Sequence, residues 1–127
     1  MPVELNHTII HSHDREASAH FLADILGLEV GEPTGRFLPV QTTNGVTLDF
    51  ATDTEPVAGQ HYAFLISEEQ FDDAFARLEK TGAPYYADPR RTRPNEINHR
   101  DGGRGVYFID PDGHSMEMLT RPYGSGS

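Results

Sequence analysis

Polar and apolar residues follow regular patterns in the first half of the chain, and these patterns predict its elements. Strict alternation along residues 5–10 predicts a β-strand. Residues 14–26 repeat apolar side chains at helical spacing, and Gly27 ends that predicted helix. Short strands are predicted at residues 28–30, 36–41 and 46–51, and Asn44-Gly45 marks a hairpin between the last two.

The same order of patterns begins again in the second half. A strand is predicted at residues 61–66, and residues 67–70 fit a capping box that starts a helix. Apolar residues from Phe71 to Leu78 form its buried stripe, and Thr81-Gly82 ends it. Further strands are predicted at residues 84–86, 105–109 and 114–120, the last two joined by a turn at residues 110–113.

The two halves are therefore an internal repeat, written β-α-β-β-β twice. His7 matches His61 at an offset of 54 residues, whereas Asp49 matches Glu117 at an offset of 68. The difference is an insertion of 14 residues in the second copy, which we place in the aperiodic stretch 88–103. A connection of that length is typical of a functional or a mobile loop, and this one either acts as a lid or is a surface excursion that tolerates change.

The repeat predicts an α+β fold built from two βαβββ modules within a single domain. The expected bounds are 1–123 for the domain, about 3–52 and 59–120 for the modules, and 124–127 for a flexible tail. The absence of cysteine among the 127 residues excludes disulfides and thiolate chemistry. A formal charge of −10 argues against nucleic-acid binding. No apolar run spans a membrane and the N-terminus is unlike a signal peptide, so we expect a cytoplasmic protein.

Strand parity selects the residues that could carry chemistry. His7, Asp49, His61 and Glu117 each lie on one face of a predicted strand, and in three of the four strands that face is the less apolar one. If the apolar faces pack under the helices, these four side chains turn towards one concavity. Two imidazoles and one carboxylate make the open-sided triad that Fe(II), Mn, Ni or Zn uses. The alternative is that each histidine is an ordinary polar residue on a half-solvated sheet.

At these residues the chain resembles the vicinal oxygen chelate superfamily, which includes glyoxalase I, extradiol dioxygenases, and fosfomycin- and bleomycin-resistance proteins. The resemblance covers about residues 3–120. It is carried by the segments Leu5-Asn6-His7, His61-Tyr62-Ala63-Phe64 and residues 107–114 running into Met116-Glu117. It implies a cleft around one divalent metal ion held by His7, His61 and Glu117, a small-molecule substrate, and a homodimer.

The resemblance favours a metal-dependent lyase, isomerase or dioxygenase acting on a small oxygenated metabolite. The alternative is a dimeric protein that sequesters a drug or natural product without turnover. Asp49 falls where glyoxalase-type members place a further carboxylate, so it is a candidate ligand or general base. Glu117 is a second candidate for moving the proton.

Other residues are candidates for catalysis or for substrate contacts. Tyr107 could donate a hydrogen bond to an oxyanion or pack in the core, and His99 could act as an acid or base or be solvated. His11 shares the face of His7 and could line the pocket or be a polar strand end. Charged side chains in and beside the inserted loop could contact substrate; those are Arg93, Glu96 and Arg104.

Overall fold

A computed structural model describes residues 2–126 of the chain. It contains two compact units, Met1–Val57 and Ala58–Ser127. The first unit contains four elements in the order β1 (His7–Ser12), α1 (Arg15–Leu26), β2 (Phe37–Gln41) and β3 (Thr47–Thr52).

The second unit repeats this order with one more strand. It contains β4 (His61–Leu65), α2 (Glu68–Thr81), β5 (Tyr85–Tyr86), a one-turn 3₁₀ helix (Arg100–Gly102), β6 (Gly105–Ile109) and β7 (Ser115–Leu119). The α+β class and the repeated modules predicted from the sequence are confirmed.

Each unit is built on one mixed sheet in which the first strand pairs in parallel with the last. The order is β1-β3-β2 in the first sheet and β4-β7-β6-β5 in the second. His7 pairs with Thr47, and His61 pairs with Ser115. Both pairs obey the repeat offsets of 54 and 68, and β2 shifted by 68 residues coincides with β6. The insertion therefore lies between β5 and β6, as predicted.

Local signals in the sequence define both helices. The Asp14 side chain accepts hydrogen bonds from the backbone N–H groups of Glu16 and Ala17 at the start of α1, and Ser67 and Gln70 form the capping box of α2. Both helices end at a glycine with φ of 73°, Gly27 and Gly82, a left-handed conformation that glycine adopts without steric cost.

The sheets keep one face for their own core. Side chains of β1 alternate between exposed and more buried positions, and Ile10 and Ser12 lie on the buried face. The α1 helix contacts all three strands of the first sheet and buries Leu22 and Ile25. In the second unit α2 buries Phe71, Ala74 and Leu78. The opposite face of each sheet carries the predicted site residues.

The strand predicted at residues 28–30 is reduced to a single bridge, in which Val30 pairs with Val40. Two features limit it. The Leu28 N–H donates to the Ala23 carbonyl as part of the helix end. The Gly31 N–H donates to the Pro39 carbonyl, but proline has no N–H with which to return the bond. The ladder therefore cannot extend. Within residues 2–126 no helix is long and apolar enough to cross a membrane.

Arg104 links the second sheet to the start of α2. Its guanidinium donates to the carboxylates of Glu68 (2.7 Å) and Asp72 (2.8 Å) and lies 4.5 Å from the centre of the Phe71 ring. Hydrogen bonds from Thr120 and Arg104 hold the pKa of Glu68 below its ordinary value. A lowered pKa means that folding favours the ionised form of the Glu68 carboxylate.

We therefore expect E68Q to lower the melting temperature at pH 7. The difference from the wild type is expected to shrink as the pH falls below the ordinary glutamate pKa and through the lowered value, because protonation removes the same interaction. Thermal unfolding between pH 7 and pH 3.5 measures it. The control is E69Q, which removes a charge from the same helical turn. An equal loss of stability in both variants would mean that only the helix dipole is involved.

Candidate metal centre

The open face of the second sheet carries three predicted site residues on neighbouring strands. Glu117 on β7 pairs with Ala63 on β4 and with Tyr107 on β6, so all three side chains project from the same face. His61 lies two residues before Ala63 on β4, so its side chain projects from that face as well. Glu117 and Tyr107 are 1% and 3% exposed, whereas half of the His61 side chain is accessible.

Hydrogen bonding orients the His61 imidazole. Its Nδ1 lies 3.0 Å from the Ser115 carbonyl oxygen. A carbonyl only accepts, so Nδ1 carries the proton and donates. In the neutral ring the lone pair is then on Nε2, the arrangement that metal-binding histidines adopt.

The His61 Nε2 atom faces a carboxylate oxygen. It lies 3.0 Å from Glu117 Oε1, so two atoms that bear lone pairs point at each other. Such a contact needs a cation between or beside the two atoms, either a proton on the imidazole or a metal ion. Two ligand atoms about 2.1 Å from one ion and at right angles lie about 3.0 Å apart. The spacing therefore fits two neighbouring ligands of one ion, and the donor set fits a borderline divalent metal.

The second oxygen of Glu117 has its own partner. The Tyr123 hydroxyl donates to Glu117 Oε2, and the Tyr107 hydroxyl lies 2.7 Å from the Tyr123 hydroxyl. Arg100 Nη1 donates to the Tyr107 oxygen over 2.7 Å, and its guanidinium lies over both tyrosine rings. Desolvation of the hydroxyl and its hydrogen bond to Glu117 raise the pKa of Tyr123 above its ordinary value, so this hydroxyl keeps its proton at neutral pH.

The first unit presents His7 on the open face of its own sheet. His7 Nδ1 lies 2.8 Å from the side-chain oxygen of Asn6 and donates a hydrogen bond to it. The Nε2 lone pair is then available to a ligand. Asp49 lies on the same face, paired with Ile9 and Pro39. His7 and His61 thus have the same tautomer for the same reason, a neighbouring oxygen acceptor at Nδ1.

His11 lies at the other end of β1 on the face of His7. Its Nδ1 contacts the carboxylate of Asp53, which also accepts from Arg36 over 3.0 Å. The contact with Asp53 orients His11, and the predicted contact of His11 with substrate stays a prediction.

The inserted loop supplies Arg100 to the hydrogen bonds around Glu117, whereas the predicted site residues of the loop are exposed. Arg93 donates to Glu96 over 2.9 Å, and both side chains are more than half exposed. His99 is exposed just before the 3₁₀ helix. The roles of these three residues, and the lid itself, stay predictions. Arg104 faces α2 through the contacts described above, which favours a structural role for its guanidinium.

A second group of possible ligands occupies the turn between β6 and β7. Ligand atoms of Asp110, Asp112 and His114 lie within 4.8 Å of one another. However, His114 Nδ1 accepts the Gln60 N–H over 2.9 Å, so its neutral ring carries the proton on Nε2 and has no lone pair left for a metal. Asp110 Oδ1 accepts two backbone N–H groups of the turn, and burial raises the pKa of Asp110. These contacts are those of a structural turn.

Comparison with known proteins decides the family. The model of the Glyoxalase/Bleomycin resistance protein/Dioxygenase superfamily matches residues 4–118. The chain belongs to this superfamily. The segments that carried the resemblance therefore identified it correctly.

Two groups of superfamily members are similar to this chain. It is 58% identical to the structure of Oxidase ChaP-H2, with a TM-score of 0.97 and complete coverage of both chains, and 58% identical to Oxidase ChaP-H1, with a TM-score of 0.94. ChaP-H1 is matched over 97% of this chain and 99% of its own. The Glutathione transferase FosA of Serratia marcescens is 30% identical over 90% of this chain and 78% of its own length.

Two residues of the hydrogen-bonded group around Glu117, Tyr123 and Arg100, were absent from the predicted site. Tyr123 lies beyond the last predicted strand, outside any periodic pattern, and Arg100 was one of several arginines around the insertion. The only available signal was an aromatic residue six positions after Glu117. Sequence patterns do not show where such a segment folds back.

We expect metal retention to separate the two groups of possible ligands. H61A is expected to lose divalent metal during purification, because it removes an imidazole whose lone pair is available. D112N is expected to retain as much metal as the wild type. Metal analysis of proteins purified in parallel, with circular dichroism as the folding control, measures both. Loss of metal in D112N but not in H61A would place the ion in the turn between β6 and β7.

Proposed function

We propose that this protein is a divalent-metal-dependent oxidase of the dioxygenase type, in which His7, His61 and Glu117 hold the ion. The substrate is a small molecule with adjacent oxygen atoms that chelate the metal. The observation that carries the metal site is the His61–Glu117 pair. The imidazole donates from Nδ1 to the Ser115 carbonyl, and its Nε2 lies 3.0 Å from Glu117 Oε1. The likeness to two oxidases over essentially the whole chain supports oxidation over the lyase and isomerase alternatives.

When bound, a redox-active ion such as Fe(II) supplies electrons to dioxygen and polarises the chelating oxygens of the substrate. The chain supplies the rest. Asp49, a carboxylate on the open face of the first sheet, accepts a proton from a substrate hydroxyl. Arg100 provides a cation beside Tyr107 and suits an oxyanion of the substrate, whereas the Tyr107 hydroxyl donates to Tyr123.

The open faces also bear on assembly. Several large apolar side chains are exposed in the described residues, among them Ile9 and Leu65 on the faces of His7 and His61. We propose that a second copy of the chain covers part of this surface in a homodimer that buries more than about 1,000 Å² in total. Light scattering at micromolar concentration is expected to give twice the mass of one chain, and the mass of one chain would contradict it.

A second function is supported by the relatives named as transferases. The chain is also 35% identical over 95 residues to the Metallothiol transferase FosB of Shouchella clausii, covering 73% of this chain and 61% of the relative. The guanidinium of Arg100 suits an anionic group of a transferase substrate. Sequestration without turnover is the third alternative, and it requires no metal.

Oxygen uptake distinguishes these functions. Metal-free protein is loaded anaerobically with Fe(II), Mn(II), Ni(II) or Zn(II) and mixed with catechols and hydroxyquinones in an oxygen electrode. We expect uptake with Fe(II) and none with Zn(II), which is not redox-active. H61A is expected to lose roughly 100-fold or more of the activity, since removing a ligand exceeds the effect of disturbing its surroundings.

The matched control is H20A, which removes an exposed histidine on α1 that lies 3.7 Å from Glu16 of its own helix. It is expected to keep full activity. Fosfomycin with glutathione is tested in parallel. Thiol addition without oxygen uptake would replace the oxidase by a transferase, and ligand binding by metal-free protein without turnover would indicate sequestration.

A further inference from the structure

The hydrogen bonds around Glu117 run in one direction. A carboxylate only accepts, so the Tyr123 hydroxyl donates the hydrogen bond to Glu117 Oε2. The Tyr123 oxygen then accepts from Tyr107, 2.7 Å away, and the Tyr107 oxygen accepts from Arg100. The result is a chain of donors from a cation to a carboxylate, in which each bond polarises the next.

The backbone around this chain holds Tyr123 in place. The Gly124 N–H donates to Asp101 over 3.1 Å, and the Gly126 N–H donates to the same carboxylate. A Cβ on Gly126 would lie 1.9 Å from the Asp101 carbonyl oxygen, so only glycine permits this approach. Asp101 adjoins Arg100, and one turn of the inserted loop therefore holds both the cation and the segment that carries Tyr123.

The two oxygens of Glu117 are thereby made different. Oε1 faces His61 Nε2 at 3.0 Å, whereas Oε2 is bound by Tyr123. A free carboxylate can bind an ion through one oxygen or both. With Oε2 hydrogen-bonded to Tyr123, Oε1 would be the oxygen that holds the ion, which would leave one further position for substrate or dioxygen.

We infer that Tyr123 is a positioning residue that makes Glu117 a one-oxygen metal ligand, at the end of a donor chain that starts at Arg100. This inference rests on the proposed metal site. It assigns to the C-terminal segment and the inserted loop a shared role in setting the geometry of the metal, distinct from the closing of a lid.

Cobalt(II) is a suitable probe, because its visible absorption changes with the number of its ligands. Metal-free wild type and Y123F are titrated with Co²⁺, and the Kd and the spectrum are recorded. In Y123F the released Oε2 is expected to join the ion and change the band intensities. The Kd is expected to rise about tenfold, the lower end of the effect of removing a partner of a metal ligand. Y107F, which interrupts the chain one step earlier, is expected to shift both readouts less.

The matched control is Y85F. Tyr85 also donates from its hydroxyl to a carboxylate, Glu79, but in contact with α2 rather than with Glu117. It is expected to match the wild type in both readouts. Tyr123 is more than half exposed, so Y123F is expected to fold, and thermal unfolding checks it.

The outcomes separate the two proposals. If Y123F has the wild-type Kd and the wild-type spectrum, the positioning role is wrong and the metal site stands. If Y85F shifts both readouts as much as Y123F, the positioning role is again wrong. If the wild type itself binds no Co²⁺, both the metal site and the positioning role are wrong.

Discussion

The parallel pairing of β4 with β7 is the constraint on which the second unit depends. Its register places His61 beside Ser115 and Ala63 beside Glu117, so the imidazole and the carboxylate meet on one face. The Ser115 carbonyl then determines which nitrogen of His61 keeps its proton. A shift of one residue would turn either side chain into the core. Two buried methionines, Met116 and Met118, prevent that shift because they occupy the opposite face.

The same constraint operates in the first unit, where β1 pairs with β3 in the equivalent register. Here the apolar residues Ile10, Leu48 and Phe50 fill the face under α1, and His7 and Asp49 are left on the other. Both units therefore bury alternate apolar side chains on one face of the sheet and leave the polar ones on the other. The cost of burying an unpaired imidazole or carboxylate favours this arrangement over its reverse.

Patterns of period two and 3.6 explain why much of this fold could be predicted. Alternation selected the open faces, the repeat offsets located the insertion before β6, and Ser67 and Gln70 marked the start of α2. These signals depend on neighbours in sequence or on one buried face. The reduced strand at Val30 was harder to foresee, because it failed through Pro39, a residue of its partner strand.

The donor chain to Glu117 could not be predicted, for a related physical reason. Arg100 and Tyr123 reach it from irregular segments, and hydrogen bonds such as those of Asp101 to Gly124 define those segments without any period. The partners of a side chain in such a segment depend on tertiary packing alone. The candidate metal ligands were therefore accessible from the sequence, and the side chains of the donor chain were not.

The central claim is that His61 and Glu117 bind one divalent ion together through Nε2 and Oε1. A crystal structure of the protein loaded with Fe(II) or Co(II), with anomalous scattering to locate the ion, tests it most directly. One ion is expected at about 2.0–2.3 Å from those two atoms and from Nε2 of a His7 side chain. An ion bound instead at the turn of Asp110, Asp112 and His114, or no ion near His61, would contradict it.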